Sequence, residues 1–350
     1  MTSRHLRSVV PPYLLRAVAA APADRFPRAA SAARTALASM DRVQEPKQVT
    51  GLRAPRTAGT PDASPQRTIS TAAGTTTLPG TVVRREGDGD TGDAATDEAY
   101  AGLGATHAFW LDVFGRVSID GAGLPLEATV HYGQEYDNAY WDGQRMAFGD
   151  GDGEVFRRFT VAVDVIGHEL AHGVTQYTAD LVYQGQSGAL NESMSDVFGS
   201  LVAQYAAGQT AEQATWLIGE GLFTDAVHGV ALRSMRAPGT AYDDPVLGGD
   251  PQPATMADYV ETTEDQGGVH LNSGIPNHAF FLAATTIGGP AWVGAGQVWW
   301  DALTSAEVSA SIDFAGFAAV TVRAAVTRFG ADSREHAAVT DAWRSVGVLS

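Results

Sequence analysis

Two histidines four residues apart enclose an acid in the run His168-Glu169-Leu170-Ala171-His172. On an α-helix that spacing turns the side chains by about 40°, so both imidazoles share one face. Two neutral imidazoles so placed can bind a divalent metal. Glu169 sits too far round the helix to be an easy third ligand, but it can reach a water in the metal's open position and act as general base. A catalytic zinc wants three protein ligands, and Glu192 supplies the third from a second apolar stretch. Asp196 lies four residues further on the same face, where it can accept the free ring N–H of a ligating histidine. The motif alone also arises by chance on core helices. The third ligand and the supporting carboxylate together make a zinc site the reading.

The elements that position these residues must be two buried helices. Val163, Val165, Ile166, Leu170 and Val174 surround the histidines, and Ala189, Leu190, Met194, Val197, Phe198, Leu201 and Val202 surround Glu192 and Asp196. The chain has 350 residues, enough for two packed lobes and an appendage. It has no cysteine, so thiol and disulfide chemistry are excluded. Its net charge of −17 is unevenly placed: residues 1–67 carry 11 Lys and Arg against 4 Asp and Glu, and residues 68–350 carry 12 against 36. A basic leader on an acidic body implies that one docks on the other. The acidic body argues against nucleic-acid binding. No apolar run approaches the length of a membrane span.

The leader opens Arg-rich, but its apolar stretch Val9-Val10-Pro11-Pro12-Tyr13-Leu14-Leu15 is broken by two prolines and then Arg16. A secretory signal peptide of the usual kind is therefore not expected, leaving a cytoplasmic location or export by another route. A helix is expected after Pro12, with Leu14, Leu15 and Val18 on one side. A second is expected over Ala29–Val43, with Ala33, Leu37, Met40 and Val43 or Gln44 as its stripe. Residues 45–66 turn to Pro, Thr, Gly, Ala and Arg without periodicity, an exposed linker. Strands are expected over Thr75–Val83 and Ala128–Tyr132, and a helix over Asp97–Phe114 capped by Thr96 or Asp97. Asp142-Gly143 reads as a hairpin turn. Gly149–Gly153 lacks a calcium-loop pattern and reads as a tight turn. His107, His278 and His336 have no metal spacing.

The run His168-Glu-Leu-Ala-His172 followed by Gly188-Ala-Leu-Asn-Glu192-Ser-Met-Ser-Asp196 resembles the thermolysin family of zinc endopeptidases, and the resemblance runs from about Thr68 to the C-terminus. Pro11-Pro12-Tyr13-Leu14-Leu15 resembles the Pro-Pro-aromatic element in the short propeptides of the protealysin-like branch. The resemblance implies an α+β fold of two lobes, a β-rich N-terminal lobe at 68–160 and a helical lobe at 161–350 with an active-site cleft between them. A propeptide at 1–50 and a linker with the processing region at 51–67 precede them.

The resemblance also assigns roles. Zn2+ is held by His168, His172 and Glu192, with Asp196 orienting a histidine. Glu169 is the base, Tyr183 and His270 stabilise the oxyanion, and Asp265 orients His270. Asn138 and Ala139 on an edge strand hold the substrate main chain, as peptides added to a sheet edge are held whatever their sequence. Arg233 serves the substrate pocket. Phe156, Phe159, Val165, Ile218 and Leu232 line the apolar pocket for the residue after the cut. Asp164 and Glu220 match part of the family's double calcium site, but Ala203, Thr215 and Leu217 stand where carboxylates belong. Ca2+ stays open as a cofactor, and that double site is not expected.

The expected activity is hydrolysis of internal bonds on the N-terminal side of apolar residues, by a precursor that removes its own inhibitory propeptide at Gln48-Val49 or Gly51-Leu52. Thr68-Ile69 ranks lower as a cut because Ile69 begins a strand. The partners are protein or peptide substrates and the chain's own propeptide, with no nucleic acid and no membrane. The chain reads as a monomer, and the sequence names neither a natural substrate nor a proteinaceous inhibitor. Two alternatives stand beside this: a zinc aminopeptidase and a non-catalytic peptide-binding relative.

Overall fold

The computed structural model describes residues 7–40 and 63–350. The proposed linker cuts, residues 1–6 and Val43 and Gln44 lie outside them. The leader contributes a two-residue strand β1 (Arg7–Ser8) and helices α1 (Pro12–Ala19) and α2 (Pro27–Met40). Pro12 opens α1, where its fixed φ suits the first turn and its missing N–H costs nothing. Leu14, Leu15 and Val18 are buried as expected. Helix α2 starts two residues earlier than the sequence pattern suggests. Its packed face is alanine, with Ala29, Ala30, Ala32, Ala33 and Ala36 buried, while Leu37 and Met40 are only partly covered.

The first lobe is built on a six-stranded mixed sheet in the order β1-β5-β6-β4-β2-β3. Its strands are β2 (Arg67–Thr71), β3 (Thr81–Arg85), β4 (Leu126–Val130), β5 (Ala139–Trp141) and β6 (Met146–Phe148). The expected strand at Thr75–Val83 is wrong over most of its length. Residues 72–80 form a turn, and pairing resumes only at Thr81. The Gly80 φ of 81° explains the break, because that backbone conformation does not continue a strand. Arg67, the last residue of the expected 51–67 linker, already pairs with Leu126. Ile69 is buried between two neighbouring strands, so the Thr68-Ile69 bond is not presented for cutting.

Helix α3 (Ala94–Phe114) crosses the sheet between β3 and β4. Its cap is Asp93, whose carboxylate accepts Thr96 N–H at 2.8 Å, rather than Thr96 or Asp97. Asp97 instead gathers the preceding loop, accepting from Thr91, Gly92 and Arg84. Acid at this end also suits the helix dipole.

The second lobe begins with α4 (Val163–Gln176) and α5 (Gly185–Ala207), followed by a short hairpin of β7 (Leu217–Ile218) and β8 (Arg233–Ser234). Helices α6 (Asp265–Asn272), α7 (Gly274–Ile287), α8 (Ala295–Leu303), α9 (Phe314–Phe329) and α10 (Arg334–Ser345) complete it. Helices α4 and α5 touch backbone to backbone: a Cβ on Gly199 would lie 2.5 Å from the Asp164 carbonyl oxygen and 2.9 Å from His168 N. Trp110 of α3, Phe198 of α5 and Trp300 of α8 lock the outer side of this pair. Trp299 and Trp343 stack at 5.9 Å in the far core. Among the described residues no helix is long and apolar enough to cross a membrane.

Candidate active site

His168 and His172 come from α4, and Glu192 from α5, all three fully buried. Their ligand atoms all lie within 4.8 Å of one another, a group made for a metal ion. His168 Nε2 stands 3.5 Å from Glu192 Oε2, and His172 Nε2 stands 3.3 Å from Glu192 Oε1. Ligands about 2.0–2.1 Å from a tetrahedral zinc stand about 3.3–3.4 Å apart, so the donor set fits. His168 Nε2 and Glu192 Oε2 are buried without a hydrogen bond, which in an apolar interior is costly unless a cation takes them.

The other ring nitrogens are fixed. His168 Nδ1–H donates to Asp196 Oδ1 at 2.8 Å. His172 Nδ1–H donates to Asn191 Oδ1 at 2.8 Å, with Ser195 Oγ at 2.9 Å. Each bond selects the tautomer that leaves Nε2 as the ligand. The sequence anticipated Asp196 but missed Asn191 and Ser195, although all three sit on α5 within one turn of Glu192. Asn277 was also missed. Its amide donates to Asp196 Oδ2 at 2.8 Å from α7, a helix that sequence spacing could not connect to the site.

Arg233 does more than the expected substrate contact. Its Nε and one terminal nitrogen donate to the two Asp196 oxygens, and its remaining nitrogen donates to Val9 O at 2.8 Å. Burial would raise the Asp196 carboxyl, but Arg233 and His168 reverse this and hold it well below the usual carboxylate range. Burial, with Glu192 beside it, instead holds Glu169 well above its usual value. Glu169 Oε2 accepts Trp141 N–H at 2.9 Å, which aims the carboxylate at the sheet edge.

Helix α6 opens with Gln266, Gly267 and Gly268 at φ of 52°, 83° and 74°. This left-handed turn brings Asp265 back over its own helix, where it accepts His270 N–H at 2.9 Å and His270 Nδ1–H at 2.7 Å. Burial disfavours a charged ring, but Asp265 and Glu192 outweigh it and push His270 up to about 9. The Tyr183 hydroxyl donates to Glu192 and stands 3.3 Å from His270 Nε2. Phe156, Phe159, Val165, Ile218 and Leu232 are all buried, in the same continuous core that takes in Val9.

The leader lies along the β5 edge. Strand β1 pairs antiparallel with β5, Arg7 opposite Trp141 and Ser8 opposite Tyr140. Val9 N–H donates to Ala139 O at 3.2 Å, and Val10 N–H donates to Asn138 Oδ1 at 3.0 Å. With β1 in place, the β5 edge is covered. Glu154 of the body caps α2, accepting the N–H groups of Arg28 and Ala29 at 3.0 and 3.1 Å and Arg28 Nε at 3.1 Å. Arg16 pairs with Glu264 at 2.8 Å. These contacts are the charge complementarity read from the sequence.

At the calcium position, Asp164 Oδ2 accepts Gly219 N–H at 2.5 Å and Glu220 accepts the Thr215 hydroxyl at 3.1 Å. Asp164 thus ties the β7 hairpin to the zinc helix directly. His278 and His336 bond carbonyls of Ala254 and Ala331.

Such a site between a sheet edge and two helices is that of a zinc metallopeptidase, and the chain belongs to the thermolysin metallopeptidase family. Residues 56–176 match the thermolysin metallopeptidase catalytic domain and residues 179–348 match its alpha-helical domain. The chain is 49% identical over 348 residues to an extracellular metalloprotease of Pectobacterium carotovorum subsp. carotovorum, covering 99% of this chain and 98% of that one. It is 51% identical over 284 residues to Protease PrtS of Photorhabdus sp. (strain Az29), covering 81% and 76%. The precursor of protealysin, a metalloproteinase from Serratia proteamaculans, superposes with a TM-score of 0.89 at 52% identity, covering 98% of this chain and all of that one. The chain is therefore a protealysin-like zinc endopeptidase made as a precursor.

Proposed function

We propose that this endopeptidase cuts internal peptide bonds on the N-terminal side of apolar residues, with the residues assigned above in those roles. The observation that carries the reading is the seat of the leader. Its main chain is held by Ala139, Asn138, Arg233 and His270, and its buried Val9 directly follows the carbonyl that His270 contacts. A substrate strand takes the same track in the same direction. Zinc on His168, His172 and Glu192 supplies the Lewis acid and lowers the pKa of a water.

The chain's own residues do the rest. Asn138 and Ala139 fix the register of the strand, and Arg233 fixes the carbonyl after the cut. Glu169 takes the proton of the attacking water and returns it to the leaving amine. His270, charged and oriented by Asp265, donates to the developing oxyanion, with Tyr183 beside it. Asp196 and Asn191 hold the two histidine rings. Apolar side chains are preferred after the cut because Phe156, Phe159, Val165, Ile218 and Leu232 offer no polar partner, at about 1–3 kcal/mol per methylene.

Residues 1–50 act as an inhibitory propeptide, 51–67 as the processed linker, 68–160 as the β-rich lobe and 161–350 as the helical lobe. The mature enzyme acts as a monomer. Relatives named extracellular support action outside the cell. Fractionation of the producing cells tests this. For the activity, Glu169→Gln should keep zinc and fold and lose about 10²–10⁴-fold in cleavage of a blocked internal peptide. A variant near the wild-type rate would remove Glu169 from the mechanism. Cleavage confined to free amino termini would favour an aminopeptidase.

A further inference from the structure

The Ser8-Val9 bond lies where a scissile bond belongs. Ser8 O is 3.1 Å from His270 Nε2, the oxyanion donor. Val9, the next residue, donates its N–H to Ala139 O and accepts from Arg233 at its carbonyl, and its side chain is wholly buried. The Asn138 side chain clasps Val10 from both sides, accepting its N–H at 3.0 Å and donating to its carbonyl at 3.4 Å. The Val9 N–H also lies beside the Glu169 carboxylate, the group that protonates a leaving amine. Nothing in this arrangement reverses the chain or shifts it out of register.

We propose that the enzyme cuts its own leader at Ser8-Val9, separately from any cut in the linker, and that the new Val9 amino terminus stays bound as a product-type inhibitor. The proposal rests on the endopeptidase reading above. Water adds its oxygen to the Ser8 carbonyl carbon, the Ser8–Val9 C–N bond breaks, and both water protons end on the Val9 nitrogen by way of Glu169. The products are a Ser8 carboxylate and a Val9 ammonium, with no other reactant needed.

The two products are held very unequally. Among the described residues, the segment ending at Ser8 is held by the Arg7 and Ser8 pairing to β5 and the His270 contact. The segment beginning at Val9 is tied to Arg233 and Asn138, buries Val9, Val10, Leu14, Leu15 and Val18, and continues into α2 with its Glu154 cap. The first leaves and the second stays. Its new ammonium stands where the Val9 amide stood, beside Glu169. Pro11 and Pro12 limit the freedom of the retained end and keep it from drifting out of the track.

The test uses zinc-loaded full-length wild type, Glu169→Gln and Val9→Asp, incubated and followed by intact mass, N-terminal mapping and size exclusion. Cleavage of a blocked internal peptide is measured on the same samples. The expected result for wild type is a leader fragment beginning at Val9 that co-elutes with the body, while the first product is lost. Glu169→Gln should keep the bond whole, and Val9→Asp should lose this cut while its linker is still processed. Wild type that cleaves the blocked peptide but never shows a Val9 terminus overturns the proposal and leaves the endopeptidase reading standing. The same cut in purified Glu169→Gln also overturns it. Wild type that has shed its leader and still leaves the blocked peptide whole sinks the endopeptidase reading and this proposal together.

Discussion

Arg233 and Asp196 are joined by two hydrogen bonds of 2.9 and 2.8 Å, and the same guanidinium reaches the peptide track at Val9 O. One buried cation thus links the carboxylate behind His168 to the carbonyl of whatever strand occupies the cleft. Arg233→Met should leave Asp196 buried with His168 and Asn277 but without its charge partner, a loss of about 3–5 kcal/mol in stability. Zinc affinity should fall by about 10–100-fold as the His168 ring loses its orienter's fixed position. Thermal melts and competition with a chelator measure the two effects. A variant with weaker peptide binding but unchanged zinc affinity would show that the Asp196 bonds do not reach the metal.

Asp265 holds His270 in its charged form, and the His270 pKa stands above its ordinary 6.5, at about 9. His270 is therefore charged through neutrality and loses that charge as pH rises through about 9. Asp265→Asn removes the main contribution opposing burial, so the alkaline limb of kcat/KM should move to lower pH. The rate at neutral pH should fall by about 10-fold or more. A pH–rate profile with the limb unmoved would assign that limb to another group.

Glu154 ties the leader helix to the body, and its own carboxyl responds. Burial raises it, but the Ala29 N–H and then Arg28 outweigh this and hold it below the ordinary 4.5. A carboxyl lowered by docking stabilises the docked state above its free pKa and ceases to do so as pH falls through the lowered one. Inhibition by the leader should therefore weaken as pH drops below 4.5. Glu154→Gln should show weaker inhibition at neutral pH and a flatter acid response. Residual peptide cleavage by uncut precursor across pH 3–7 is the measurement, within roughly the span where carboxylates titrate. An unchanged profile would place the anchor elsewhere.

Gly199 lets the two metal helices meet. Its Cβ would fall 2.5 Å from Asp164 O and 2.9 Å from His168 N, and both are backbone atoms that cannot turn aside. Gly199→Ala should cost about 1–3 kcal/mol and push Glu192 away from the histidines. A lower melting temperature together with weaker zinc retention is the expected pair of results. A lower melting temperature with zinc unchanged would mean that α5 yields without carrying Glu192.

The sequence by itself determined the metal triad and the two buried helices that carry it. Each is a matter of spacing along one helix, 168 with 172 and 192 with 196, and helix geometry converts spacing into a shared face without help from the rest of the chain. The opposite charges of leader and body were likewise legible, because charge adds along a sequence whatever the fold. The Asp93 cap and the turn at 72–80 were misread because local polar residues offer several equivalent caps and breaks, and only the neighbouring strands choose between them. Tertiary structure alone decided that Asn277 and Arg233 converge on Asp196, that Glu154 caps a helix more than a hundred residues before it, and that Ser8 meets His270. Those contacts join residues 37 to 262 positions apart. No periodicity encodes such a meeting; it follows from how the sheet edge, the two helices and the leader pack against one another.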